Sequence, residues 1–250
     1  MDDNTLINLS NISLNYKNEQ QLVFSELNMP ITQNQWTCIL GKSGCGKTSL
    51  LRFLAGLLDD QINWSGTMHT NLSGHISQHV AYMAQQDLLL PWLNVVDNVC
   101  LSFQFANRQL SQSTKQKAIK LIEQVGLLDH IHQFPDQLSG GMRQRVALAR
   151  TLMQDKPLVL MDEPFSALDA VTRYQLQNLA AHMLKNKTVL LITHDPQEAL
   201  RLGDHIALMQ GKPASACTFP TPSNPPPRML NGEIAALQQK LIEQLEKDHV

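Results

Sequence analysis

The sequence predicts an α/β fold, a mixed sheet core with an antiparallel β edge and an inserted helical subdomain, and three observations lead there. Short continuous apolar runs, "WTCIL" before Gly41, "LVLM" before Asp162 and "TVLLIT" before His194, are the pattern of parallel strands buried on both faces. Stretches with helical spacing separate them, so strands and helices alternate. From about Trp92 to Met153 the chain reads as helix throughout, which interrupts the alternation and marks an insertion.

Taken in order, "LINLSNISLNY" and "LVFSELNMPI" alternate apolar and polar residues and predict antiparallel strands at an edge. "WTCIL" follows as a buried strand, then a glycine-rich turn, then the helical run "SLLRFLAGLL". "HVAYMA" is a possible further strand. The insert divides into "VVDNVCLSFQFANRQ", "STKQKAIKLIEQVGLL" and the run after Ser139, whose apolar face is read as Met142, Val146, Ala149 and Leu152. After Gly211 the pattern thins. "FPTPSNPPPR" resists regular structure because proline fixes φ and lacks an N–H, while Ile234, Leu237, Leu241 and Leu245 recur at helical spacing and predict a short amphipathic helix. The expected organisation is a main domain over 1–222 carrying the helical subdomain at about 92–155, then a Pro-rich linker and C-terminal helix over 223–250.

The chain has 250 residues, 43% hydrophobic and 17% charged, as an ordinary globular protein has. A formal net charge of −2 gives no electrostatic footprint for nucleic acid, so any anionic ligand must be held by local geometry. No apolar run approaches the ~18 residues that span a bilayer, and "MDDNTLINLSN" has neither a basic segment nor an apolar core, so a cytosolic chain is expected. Cys38, Cys45, Cys100 and Cys217 have no C-x-x-C pairing and no histidines at zinc spacing, which favours free thiols, with Cys38 and Cys100 as small buried residues.

The run "GKSGCGKT" places Gly41, Lys42, Ser43, Gly44, Cys45, Gly46, Lys47 and Thr48 between a strand and a helix that continues with Ser49. This fits G-x-x-x-x-G-K-[ST]: glycines let successive N–H groups turn inward around an anion, the helix N-terminus adds its positive end, Lys47 reaches the β and γ phosphates, and Thr48 binds Mg²⁺. Four further stations lie at ends of elements. "LVLMDEP" puts Asp162 and Glu163 at the carboxyl end of a buried strand, where Asp162 suits the Mg²⁺ shell and Glu163 can polarise an attacking water. His194 ends another strand, although a histidine there is more often a satisfied surface residue. Gln85 follows "HVAYMA", within carboxamide reach of a metal or water. In "LSGGMRQRVALAR", Ser139 is a good N-cap and Gly140 and Gly141 leave backbone N–H groups open, a second anion site that need not face the phosphate loop of its own chain.

The order of these motifs, with "SALD" after "DEP", resembles an ATP-binding cassette (ABC) protein over about residues 5–212, a P-loop NTPase of the ABC type. The resemblance implies a head-to-tail homodimer sandwiching two ATP molecules, in which Ser139 and Gly141 of one chain cap the γ-phosphate held by Lys47 of the other. It implies Glu163 as catalytic base, Asp162 in the Mg²⁺ shell, Thr48 and Gln85 as metal or water ligands, His194 on the γ-phosphate, Asp169 as the cross-dimer communicator and Tyr16 in "LNYKN" as the aromatic stacked on adenine. "GKTSL" stands where the family usually has Ser before Thr, and either hydroxyl can bind Mg²⁺. "MAQQD" replaces an aromatic-Gln pair; register with the downstream leucines favours Gln85 over Gln86.

The implied partners are membrane-spanning permease subunits on separate chains and, indirectly, a solute-binding protein, with the chain peripheral on the cytoplasmic face of the cell membrane. "LLLPWLNVVDNV" with the signature run and "FSALDA" is similar to the nitrate/sulfonate/taurine importer group, which includes carriers of the hydroxymethylpyrimidine precursor of thiamine. A thiamine-precursor pyrimidine is the first expectation, ahead of taurine, alkanesulfonate or nitrate; thiamine and polyamine importers and export systems are alternatives. A soluble ABC ATPase acting on nucleic acid is the rival of another class, against which stand the single cassette, the absence of a long heptad run and the absence of a basic stripe. In this setting "DLLLPWLNVV" is expected to divide between leucines that anchor the insert and others that, with Trp92, line a groove for the membrane partner.

Overall fold

The computed structural model describes residues 4–105 and 111–247. Strands β1 (Thr5–Tyr16) and β2 (Phe24–Thr32) pair antiparallel, and β4 (Ile62–Thr70) joins the other side of β1, giving a three-stranded sheet β2-β1-β4. Ile7, Leu9, Ile12 and Leu14 of β1 are all buried although they do not share one parity. A bulge explains this: the register shifts between Ser10 and Ser13, with Asn11 at φ 52°, and one extra residue resets the alternation. The two N-terminal runs are thus antiparallel as expected, yet they form their own sheet.

The main sheet has β3 (Trp36–Gly41), β5 (Val80–Met83), β6 (Leu158–Asp162), β7 (Thr188–Ile192), β8 (His205–Gln210) and β9 (Ser215–Phe219), in the order β5-β6-β7-β3-β8-β9. The first five are parallel, and β9 is the antiparallel edge. Three strands have no counterpart in the sequence reading. β4 buries only its first residue, Ile62, so apolar alternation is missing; β8, an apolar run buried from Ile206 to Met209, is passed over before Gly211, and β9 falls after it, where the pattern thins.

The parallel strands separate two apolar layers. Ile39, Leu158, Leu160, Leu190 and Ile192 face the three-stranded sheet and α1 (Lys47–Leu54), where Leu50 and Leu51 are fully buried. Their sequence neighbours Cys38, Leu40, Val159, Met161 and Leu191 face the helices on the other side. Period-two geometry sends adjacent apolar residues to opposite cores, which is why these strands read as unbroken apolar runs, and each fully buried aliphatic side chain contributes about 1.5–3 kcal/mol.

The insert holds α2 (Val95–Val99), α3 (Leu101–Phe105), α4 (Gln112–Gln124) and α5 (Gly140–Met153). The run "VVDNVCLSFQFANRQ" divides into two helices at Cys100, and its residues 106–109 lie outside those described. Asn94, Ser111 and Ser139 cap α2, α4 and α5 through side-chain oxygens that accept from Asp97, Thr114 and Met142 N–H. One correction concerns α5. Beyond Val146, Ala149 and Leu152 it also buries Gln144, Ala147, Leu148, Thr151 and Met153, whereas Met142 is only half-buried, so the helix runs through the core instead of resting one stripe on it.

The core is completed by α6 (Ala170–Met183), α7 (Pro196–Leu202) and α8 (Gly232–Lys247). The Pro-rich stretch has no regular structure up to α8 and is nevertheless anchored: the buried Arg228 guanidinium donates to the carbonyls of Leu200 and Gly203, each at 2.8 Å, where α7 ends. Ile234 and Leu241 of α8 are buried against the same region, with Leu237 and Leu245 partly buried beside them. Among the described residues no helix is long and apolar enough to cross a membrane, and all four cysteines are free, Cys38, Cys45 and Cys100 buried and Cys217 exposed.

Candidate functional site: four strand ends and a cleft

The strand order brings together what the sequence scatters. In β5-β6-β7-β3 the carboxyl ends are consecutive neighbours, with Met83 opposite Met161, Asp162 opposite Ile192, and Ile192 opposite Ile39. Gln85, the pair Asp162 and Glu163, His194 and the loop Gly41–Thr48 therefore emerge at one edge, where open parallel sheets bind ligands. A cleft of about 380 Å³ opens there, lined by Tyr16, Ser43, Gly44, Gly46, Lys47, Thr48, Ser49, Gln85, Asp162 and Glu163.

The loop needs its glycines for stated reasons. A Cβ on Gly41 would lie 2.2 Å from the Met209 carbonyl oxygen, and Gly46 sits at φ 97° with its Cβ position 2.5 Å from Val23 Cγ1. Lys47 is buried and donates from Nζ to the carbonyls of Gly41 and Lys42, both at 2.7 Å, which holds its ammonium under the loop at the start of α1. Cys45 is buried against the same lysine, Sγ 3.8 Å from Nζ. Tyr16 reaches the cleft from β1 and shares a hydrogen bond with Ser49 Oγ at 2.9 Å.

Thr48 Oγ1 donates to Asp162 Oδ2 at 2.7 Å. Burial pushes the Asp162 carboxyl up, and the neighbouring Glu163 adds to this, while the Thr48 hydrogen bond and Lys47 oppose it. A buried carboxylate held in its charged form calls for a cation. The hydroxyl, the carboxylate and the Gln85 carboxamide are hard oxygen donors, so the set fits Mg²⁺, which completes its shell with water and phosphate oxygens and needs few protein ligands. No cluster of three His, Cys, Asp or Glu side chains suited to a metal occurs among the described residues.

Glu163 is gripped at both its ends. Its Oε2 receives Gln85 Nε2 at 3.3 Å and faces His194 Nδ1 at 3.1 Å. Its backbone is left-handed, φ 49°, an unfavourable state for a residue with a Cβ; its N–H donates to Ile192 O at 2.9 Å, and its carbonyl accepts from Ser166 Oγ at 3.0 Å and from Gln144 Nε2 at 3.1 Å. The site therefore brings Gln85 and His194 onto one carboxylate oxygen, and Gln85, not Gln86, makes that contact.

Other expected site residues stand elsewhere. Ser139 and Gly140 are exposed at the start of α5 and Gly141 is half-buried; none of the three lines the cleft. Gly140 borders a second hollow of about 410 Å³ with Gln85, Gln86, Asp87, Leu88, Arg143 and Ala167. Asp169 is exposed and caps α6, accepting from Thr172 N at 3.0 Å; hydrogen bonds from Thr172 hold its carboxyl below the usual range.

The stretch after Gln85 is tied to α5. Arg143 Nε donates to Asp87 Oδ2 at 3.0 Å, and Arg150 donates to the carbonyls of Asp87 at 2.5 Å and Leu88 at 2.8 Å. Asn98, fully buried, receives Leu90 N–H at 2.8 Å and donates to the carbonyls of Leu90, Leu93 and Asn94. Leu89 is buried in the core cluster, while Leu88 and Trp92 are 58% and 70% exposed. None of these polar ties was legible in advance, because a polar residue on a helix reads as solvent-facing until its partner is known.

Behind His194 lies a second polar group. Asp195 caps α7 through Gln197 and Glu198 N–H, and the buried Glu198 accepts from Gln177 Nε2 at 2.8 Å; Arg201 in turn donates to Gln177 Oε1 at 2.9 Å and stacks over Tyr174. Burial pushes the Glu198 carboxyl up to about 7, against opposing hydrogen bonds from Thr193 and Gln177. The folded state then holds a proton that the unfolded chain releases from about pH 4.5, so stability falls as pH rises from about 4.5 to about 7 and levels off above. Glu198→Gln is expected to flatten this dependence and to raise stability at pH 8 by on the order of 3 kcal/mol. Urea unfolding at pH 5 and pH 8 measures it; equal pH dependence in both proteins would place the cause elsewhere.

With this geometry in hand, comparison with known proteins decides the family. The sequence model described as ABC transporter matches residues 24–166, more than half of the chain. The chain belongs to the ABC transporter family. Its ABC relatives include an uncharacterized ABC transporter ATP-binding protein of Haemophilus influenzae, 42% identical over 96% of this chain and 98% of that protein. An aliphatic sulfonates import ATP-binding protein of Yersinia pestis is 37% identical over 96% of this chain and 86% of its own length. Among solved structures, a dimeric bacterial ABC transporter cassette matches with a TM-score of 0.68 at 27% identity, covering 81% of this chain and 94% of that one. An inward-facing putative metal-chelate type ABC transporter shares the fold with a TM-score of 0.70 at 23% identity, over 86% of this chain and 84% of that one. The chain is an ATP-binding ATPase of the ABC fold.

Proposed function

We propose that this ABC ATPase energises a multi-subunit membrane importer of a small organic solute of the aliphatic-sulfonate class. Support for import and for sulfonates comes from the names of relatives about 37% identical over most of the chain. Support for the engine comes from one observation, the convergence of Lys47, Thr48, Gln85, Asp162, Glu163 and His194 at four adjacent strand ends. The thiamine-precursor pyrimidine of the sequence reading finds no such support from those names and is kept as the second substrate to assay.

In this reading ATP lies in the 380 Å³ cleft, with adenine on Tyr16 and the phosphates wrapped by Gly41–Ser49. Lys47, released from the loop carbonyls, moves its charge to the β and γ phosphates. Thr48, Asp162 and Gln85 would hold Mg²⁺, which would neutralise phosphate charge when bound. Glu163 takes the proton of the attacking water as the β–γ bond breaks in line, and His194, which meets the same carboxylate, contacts the γ-phosphate. Ser139, Gly140, Gly141 and Asp169, which lie off this cleft, act on the ATP of a second copy in a head-to-tail dimer. Residues 1–222, including the insert at about 92–155, form the ATPase domain; 223–250 are the Pro-rich linker and C-terminal helix, of which Arg228 and α8 buttress it. The working place is the cytoplasmic face of the cell membrane, beside permease subunits on other chains, with no nucleic acid involved.

Reconstitution with the permease and solute-binding protein into liposomes tests this. ATP-driven uptake of a labelled alkanesulfonate is expected. Uptake of a labelled hydroxymethylpyrimidine instead would change the substrate, ATP-driven efflux would reverse the direction, and ATPase activity stimulated by nucleic acid but not by permease would overturn the transport reading.

A further inference from the structure

Gln144 sits in the second turn of α5, where helix periodicity alone gives no reason for an amide. It is buried, at 6% exposure, and both ends of its carboxamide are used. Nε2 donates to the carbonyl oxygen of Glu163 at 3.1 Å, and Oε1 accepts the Ala167 N–H at 3.0 Å. These two backbone groups bracket the loop that follows β6. One rigid amide therefore spans the loop between Glu163 and the "SALD" segment, fastening it to the helix whose first residue is capped by Ser139.

The fastening matters because of the state of Glu163. A left-handed backbone at a glutamate costs about 1 kcal/mol or more and persists only where neighbours over-determine it. Here the ladder bond from its N–H to Ile192 O fixes one side of the residue, and three donors, Gln144 Nε2, Ser166 Oγ and the Ser166 N–H, fix the carbonyl on the other. With the backbone held so, the side chain is aimed to meet Gln85 and His194 on Oε2. A relaxed backbone would swing the carboxylate away from them. Both Ser166 donors hang from the same short loop, whereas Gln144 comes from α5, so Gln144 alone of the two residues transmits a displacement of α5 to the carboxylate.

We infer that Gln144 is a positioning residue for hydrolysis: its carboxamide holds the Glu163 backbone in the left-handed state that aims the carboxylate, and so makes the base responsive to the position of α5. This rests on the reading of Glu163 as base, and the test separates the two. The full-length chain is compared with Gln144→Met, which keeps volume and loses both hydrogen bonds, Gln144→Ala, Glu163→Gln and the double variant Glu163→Gln with Gln144→Met. ATP turnover is measured against nucleotide affinity by fluorescent-ATP titration, with thermal unfolding as the control for folding.

Gln144→Met is expected to lower kcat about 10- to 100-fold, the usual cost of misplacing a reacting group by an ångström, with ATP affinity within about twofold. On the Glu163→Gln background the same change is expected to slow the residual rate less than about twofold, since there is no base left to aim. A general weakening of the fold would slow both backgrounds alike and would overturn the inference, as would a parental kcat in both Gln144 variants. Should Glu163→Gln itself turn over at the parental rate, the assignment of the base fails, and that result is read independently of Gln144.

Discussion

Glu163→Gln is expected to lower kcat for ATP hydrolysis about 10²–10⁴-fold, the range for loss of a general base, and to leave ATP affinity within about threefold. The substitution is nearly isosteric. The bonds that set the backbone, from Glu163 N–H to Ile192 O and from Ser166 and Gln144 to its carbonyl, do not involve the carboxylate and survive. The amide oxygen can still accept from Gln85 or His194, but it cannot take a proton from water at neutral pH. The loop, Lys47 and Thr48 are untouched, so binding persists. Single-turnover hydrolysis and fluorescent-nucleotide titration of the purified variant, alone and with its membrane partners, measure the two quantities. A parental rate would remove Glu163 from the chemistry.

The second large effect separates two neighbours that the sequence treats alike. With "DLLLPWLNVV" read as part anchor and part partner groove, a charge at Leu89 or at Trp92 is expected to uncouple transport from ATP hydrolysis more than it lowers ATP affinity. The structure corrects this for Leu89, which is buried in the core cluster, with its N–H bonded to Asp87 Oδ1 at 3.1 Å. Leu89→Asp places a carboxylate where apolar atoms surround it, a change that costs at least about 3 kcal/mol of the roughly 5–15 kcal/mol that hold a domain folded. Trp92 is 70% exposed at the start of the insert, four residues after an exposed Leu88 whose carbonyl is pinned by Arg150. Trp92→Asp is expected to leave the melting temperature within about 2 °C, since surface substitutions away from buried features stay within about 0.5 kcal/mol. The ATPase of the isolated chain should be preserved too, while stimulation by the permease is lost. Leu89→Asp should instead lower the melting temperature by at least about 6 °C and reduce the yield of folded, nucleotide-binding protein with it. If Trp92→Asp also melted early, the tryptophan would be a packing residue and no docking point.

Much of the site was legible because its parts are local. Gly41–Thr48 are contiguous, and the reasons for each residue, an inward-turned backbone and a lysine at a helix start, act over eight positions. Asp162, Glu163 and His194 could be placed because a buried strand announces its own end. The missing pieces depend on distance in the chain. β4 is an edge strand with one buried residue, so its pairing with β1 is written in backbone hydrogen bonds and not in side-chain polarity. Arg143, Gln144, Arg150 and Asn98 look like solvent-facing residues until the carbonyls that receive them are located.

The sequence by itself determined the fold class, the phosphate-loop motif and the list of candidate side chains, since hydrophobic period and motif spacing are properties of neighbouring residues. Only the tertiary structure decided the strand order β5-β6-β7-β3, because pairing between strands separated by tens of residues is settled by which apolar faces fill the two cores. That order puts Gln85 and His194 on one oxygen of Glu163. It was also the packing of α5 through the core, and no local preference, that delivered the Gln144 amide to the backbone of the same residue.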